Sequence, residues 1–146
     1  MFAVFLTSGL FLGWSLGAND AANVFGTAVG TRMISFRRAA ILCGIFVVLG
    51  AVISGAGAAE TLGDLGAVNA IAGAFVVALA AAITVYWLTV LGYPVSTTQA
   101  IVGAIIGWDL FSGALIDYAA LVEIVASWVV SPILAAIFSV ILYKLI

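Results

Sequence analysis

The sequence predicts an all-α integral membrane protein of about five transmembrane helices, and three observations carry that expectation. Of its 146 residues, 66% are hydrophobic and 7% charged, with a mean hydropathy of +1.40, whereas soluble domains carry about 25% charged residues. The few charges separate uncharged runs of crossing length, because the bilayer core needs about 20 apolar residues per helix. Glycine and proline interrupt those runs where the chain must turn, and the length leaves no room for a soluble head.

The first span covers about residues 2–31 and contains one charge, Asp20. A continuous helix there would be about 45 Å long against a hydrocarbon core of roughly 30 Å, so a break is expected at the polar run 17–23. The second span, 39–59, lies between Arg37-Arg38 and Glu60, and residues 60–66 read as a short acidic loop. From Leu65 to Trp108 there is no charge, and Gly92-Tyr93-Pro94 divides that stretch. Proline lacks a donor and disfavours helix in the residue before it, so spans of 67–91 and 98–116 are expected around a break at 92–98. A re-entrant hairpin is the alternative for 98–116. The last span, 118–143, has Tyr118 and Tyr143 as interfacial anchors, Lys144 beyond, and a kink expected at Pro132.

Arg32, Arg37, Arg38 and Lys144 put one side of this arrangement in the cytoplasm by the positive-inside rule, which leaves the amino terminus outside. The amino-terminal stretch has no basic residue ahead of its apolar run, which argues for a true span over a cleaved signal. Asp109 and Asp117 fall near a predicted boundary and are expected to face solvent or headgroups, with Glu123 near the outer end of the last span. A net charge of -2 and the lack of a basic stripe argue against nucleic acid as a partner. Cys43 lies alone in an apolar run and reads as an inert thiol. The pairs Gly13/Gly17, Gly26/Gly30 and Gly103/Gly107, each four apart, read as close-packing faces.

Two polar interruptions carry the chemistry. In Gly17-Ala18-Asn19-Asp20-Ala21-Ala22-Asn23, a charged Asp at depth costs about 2.5 to 3.5 kcal/mol and therefore faces protein interior, a cation or water. A helix cap at the interface is the plain alternative. In Pro94-Val95-Ser96-Thr97-Thr98-Gln99, three hydroxyls and an amide follow the break, more oxygen than one helix cap uses. A helix N-terminus suits an oxyanion, and hydroxyl and carbonyl oxygens suit sodium. Two such breaks together read as a substrate site of the kind secondary transporters build.

These residues resemble the two signatures of the inorganic phosphate transporter (PiT) family. The first runs from Gly17 through Asn23 and on through Phe25-Gly26-Thr27-Ala28-Val29-Gly30. The second is Pro94-Val95-Ser96-Thr97-Thr98 with Ile101-Val102-Gly103. The resemblance implies a secondary transporter of phosphate, or in some relatives sulfate, coupled to sodium or protons. It also implies that residues 1–146 form a single transmembrane domain equivalent to one of two inverted halves. On that basis sodium is assigned to Asn19, Asp20, Asn23, Ser96 and Thr97, and phosphate to Ser96, Thr97, Thr98, Gln99 and Asn23.

Gln99 stands where the family's second signature usually has His, and the chain has no His, which favours sodium over protons as the coupling ion. The partners expected are inorganic phosphate, sodium, the lipid bilayer, and a second inverted half or another copy of the chain, in a multi-pass protein of the cell membrane with no cofactor. An intramembrane enzyme is disfavoured, because no His exists to activate Ser96 or Cys43. A sulfate permease of the same family, a non-transporting structural or regulatory half, and an inactive fragment are the other readings.

Overall fold

The structure is a computed structural model, and it describes residues 2–66, 71–93 and 95–145. Five helices follow one another: α1 (Phe2–Gly30), α2 (Phe36–Leu65), α3 (Ile71–Val90), α4 (Thr97–Ser112) and α5 (Tyr118–Leu145). Among the described residues there is no strand. α2, α3 and α5 are each long and apolar enough to cross a membrane.

The first interruption does not break its helix. α1 runs unbroken for 29 residues through Gly17–Asn23, so the break expected there is corrected. The run contains no proline, every residue in it can hold helical backbone, and Asn19 and Asp20 find partners on other elements without the helix opening. The acidic loop expected at 60–66 is corrected as well, since Glu60 and Asp64 lie in the last turns of α2, which ends at Leu65. The break at 92–98 is present: α3 stops at Val90, Gly92 takes a positive φ of 79°, and α4 begins at Thr97. Pro94, expected to supply that break, and Ala67, the expected start of the third helix, lie outside the described residues. Pro132 sits inside α5, where it cannot donate to the Trp128 carbonyl.

α3 is the centre of the fold, packed along α1 on one side and α4 on the other. Its buried line of Gly73, Val77, Ala81, Ala82 and Val85, of which Gly73 and Val77 face α4, is small enough for neighbouring helices to approach closely, which is how helices gain contact energy in lipid. Phe5 meets Phe75 edge-on at 5.8 Å, and Phe11, Trp14 and Tyr86 cluster with centroids 5.7 to 6.1 Å apart. Leu65, Val77, Val102, Ile105 and Ile124 form the buried core where α2, α3, α4 and α5 meet. The expected glycine pairs make no close packing among the described residues: a Cβ on Gly13, Gly17, Gly26, Gly30, Gly103 or Gly107 would meet nothing there within 4 Å, whereas a Cβ added to Gly73 would come to 2.9 Å from the Trp108 ring. α2 and α5 leave most of their apolar surface uncovered.

The helix lengths set the depth of the α3–α4 turn. Asn19 contacts Val95 and lies about 26 Å along α1 from Phe2, with about 17 Å of helix still to run to Gly30. The turn therefore ends well short of the far end of α1. α4, with 16 residues, is about 24 Å long.

Candidate functional site

Asn19 organises the site. It is 2% exposed and faces the segment between α3 and α4, where Val95 has no helical partner for its backbone. The Asn19 amide bonds both peptide groups of that residue: Nδ2 donates to the Val95 carbonyl at 2.6 Å, and Oδ1 accepts from the Val95 N–H at 3.4 Å. Oδ1 also accepts from the Thr89 hydroxyl at 3.3 Å, and Nδ2 donates to Asp20 Oδ1 at 3.0 Å. An unpaired backbone group in hydrocarbon costs several kcal/mol, and an asparagine presents one donor and one acceptor in the geometry of a peptide unit. That match lets α1 remain helical while it supports a non-helical loop.

Asp20 points to the same place. It is half-buried, and its Oδ1 accepts from the buried Thr97 hydroxyl at 3.3 Å. Ser96 is the N-cap of α4, its Oγ accepting from the Gln99 N–H at 3.3 Å. The Asp20 carboxylate thus stands beside the first residue of α4, where helix dipoles give partial positive charge. A cavity of about 310 Å³ opens next to this node and is lined by Asn19, Ala22, Asn23, Thr89, Gly92 and Tyr93. On the other side of α1, an apolar cavity of about 780 Å³ lies between α1 and α2.

Of the residues singled out by sequence, Asn19, Asp20 and Thr97 come together, and Asn23 lines the adjoining cavity one turn along α1; Ser96 is exposed, and its hydroxyl bonds only the Gln99 N–H among the described residues. Thr98 and Gln99 are exposed on the first turn of α4 and make no side-chain bond within the chain among the described residues. Thr89 escaped sequence reading because it ends an apolar run, although a lone hydroxyl in the last turn before a break was the available signal. Ser15 lies one turn before Asn19, 1% exposed, and its Oγ has no partner among the described residues. Asp109 corrects an expectation: it does not face solvent but is 0% exposed, while Asp117 and Glu123 are exposed.

A polar node buried between apolar helices, beside a helix break and open to a small cavity, places this chain among the all-α multi-pass membrane proteins. Comparison with known proteins makes this specific. Residues 16–146 match the model of the phosphate transporter family, and the chain belongs to that family. The inorganic phosphate transporter 2-1, chloroplastic, of Arabidopsis thaliana is 37% identical over 97% of this chain and 26% of its own length. The sodium-dependent phosphate transporter 1 of Mus musculus is 37% identical over 89% of this chain and 21% of its own. A relative in Pyrococcus furiosus is 33% identical over 93% and 35% respectively. The chain spans about a fifth to a third of the length of these relatives. No solved structure matches it.

Proposed function

We propose that this chain supplies one half of the pathway of a secondary transporter that carries inorganic phosphate together with sodium. The observation that supports this best is the bond set joining the two signature runs: Asn19 and Asp20 on α1 reach Val95 and Thr97, 76 and 77 positions away. In this reading α3 and α4 form a re-entrant hairpin whose tip, at the depth of Asn19, stops inside the bilayer. The second, inverted half closes the site from the opposite side and covers apolar surface of α2 and α5.

The charges give the order of events. A phosphate dianion approaching the N-terminus of α4 meets both its partial positive charge and the Asp20 carboxylate, which repels it. Sodium held by Asp20, with the Asn19 and Asn23 side-chain oxygens and the hydroxyls of Ser96 and Thr97, removes that repulsion and leaves the N-terminal N–H groups and the Thr98 hydroxyl for the anion. Gln99 and Asn23 add neutral donors from either side. Sodium first and phosphate second is therefore the favoured sequence. Moving a dianion into a negative interior costs about 4.6 kcal/mol at 100 mV, two sodium ions cancel that cost, and a third makes uptake electrically favourable.

Uptake of labelled phosphate by proteoliposomes, with this chain alone and with a candidate second half, in sodium or choline medium and with sulfate as competitor, tests the proposal. Sodium-dependent uptake that falls at least tenfold in Asp20→Asn is expected, and uptake with unchanged sodium dependence in that variant sinks it. The relative of Mus musculus named a sodium-dependent phosphate transporter supports the choice of ion. The amino terminus is taken to lie outside, with Arg32, Arg37, Arg38 and Lys144 inside.

A further inference from the structure

Five of the six acidic residues lie toward one end of the bundle. Glu60 and Asp64 are in the last turns of α2, Asp109 is in the last turn of α4, and Asp117 and Glu123 are at the start of α5. The Asp117 N–H donates to the Leu65 carbonyl at 3.1 Å and ties these ends together. The four basic residues lie toward the other helix ends.

Asp109 differs from its acidic neighbours. Glu60, Asp64 and Glu123 are exposed, and exposed Asp117 accepts from the N–H groups of Ala119 and Ala120 at 2.8 and 3.2 Å. Asp109 is fully buried, and neither of its carboxylate oxygens has a hydrogen-bond partner among the described residues. A buried charge without a partner costs several kcal/mol, and a bound cation offsets that cost. α2 and α4 both end here with no basic residue in their last turns, and helix C-termini carry partial negative charge. The acidic side chains make this end of the bundle negative, while the C-termini of α2 and α4 meet the N-termini of α3 and α5 there.

The donors narrow the class of partner. Carboxylate and carbonyl oxygens select a hard cation. A single buried carboxylate balances one positive charge, and no group of three His, Cys, Asp or Glu gathers among the described residues, which disfavours calcium with its several carboxylates. We propose that Asp109 is the centre of a sodium-class monovalent cation site, about 18 Å along α4 from Thr97 and separate from Asn19 and Asp20. The exposed carboxylates of Glu60, Asp64 and Glu123 raise the local cation concentration at this end of the bundle.

The test uses the chain in mild detergent, with sodium chloride or choline chloride at equal ionic strength. In Asp20→Asn, which lacks the carboxylate of the other site, sodium still raises the unfolding midpoint by roughly 3 °C, and the further change Asp109→Asn abolishes the rise. An equal midpoint in the two salts, or a rise that survives Asp109→Asn, overturns the proposal. If Asp109→Asn fails to fold, Asp20→Asn is treated with a hydrophobic carbodiimide and labelling of Asp109 is read by mass spectrometry. Slower labelling in sodium than in choline supports the site, and equal labelling overturns it. These readouts involve no phosphate and no uptake, so they stand or fall apart from the transport reading.

Discussion

Replacing Asn19 by alanine isolates the bond set on which the loop between α3 and α4 depends. The substitution removes a 2.6 Å bond to the Val95 carbonyl and a 3.0 Å bond to Asp20, together with two longer contacts at 3.3 and 3.4 Å. Hydrogen bonds inside membrane proteins average about 0.6 kcal/mol and reach about 1.7, and a buried group left unsatisfied costs about 1–3 kcal/mol. The 2.6 Å bond belongs at the upper end, and the two longest contacts add little. Asn19→Ala should therefore destabilise the chain by about 2–3 kcal/mol, with the loss concentrated at the α3–α4 turn. Unfolding in mixed micelles of mild and denaturing detergent measures the total, and hydrogen exchange at Val95 locates it. Asn19→Asp keeps the oxygen that accepts from Thr89 and the Val95 N–H but loses the donor and adds a charge beside Asp20, so it should be at least as damaging. A change under about 0.5 kcal/mol in Asn19→Ala, or exchange at Val95 as slow as in the parent chain, would refute the reasoning.

Other expectations follow from single contacts. Thr97→Ala removes the hydroxyl that donates to Asp20 and should weaken sodium dependence of uptake several-fold, whereas Thr97→Ser should retain most of it. Gly66→Ala brings a Cβ against Asp109 Oδ2 and to 2.5 Å from Ile105 Cγ2; overpacking of this kind costs about 1–3 kcal/mol, measurable as a lower unfolding midpoint. Gly92→Ala forces a side chain onto a φ of 79° and should cost about 1 kcal/mol, while Gly107→Ala meets open space and should leave the isolated chain unchanged.

The all-helical membrane class was legible because scarcity of charge is a bulk property that no tertiary contact can reverse. The break after α3 was equally legible, since Gly92 and Pro94 act on their own backbone. The break expected within α1 was not, and the reason is specific. Sequence reading asked where a helix too long for the bilayer, with Asp20 inside it, would open, whereas the polar groups are accommodated by Val95, Thr89 and Thr97 from elsewhere in the chain. Length alone does not force a break, because a helix longer than the core can tilt or extend past it. The burial of Asp109 was hidden for a related reason: proximity to the end of a helix suggested water, but Gly66 lets the end of α2 close over it. Both errors came from treating a polar residue as a local event, when Val95, 76 positions from Asn19, and Gly66, 43 positions from Asp109, decide the surroundings.

That dependence bears on how the chain, in its proposed role as half a pathway, can fold. The Asn19–Val95 pairing gives the loop backbone its partners within this chain, so the tip of the hairpin does not wait for a second half to satisfy it. The surfaces left open are apolar faces of α2 and α5 and the glycines of α1 and α4, which lipid or another helix can cover without polar matching. Adding the proposed second half should therefore raise the stability of the assembly chiefly through packing, with little change in hydrogen exchange at Val95. Strong new protection of Val95 on pairing would mean that the site is assembled between halves and is not prebuilt in this one.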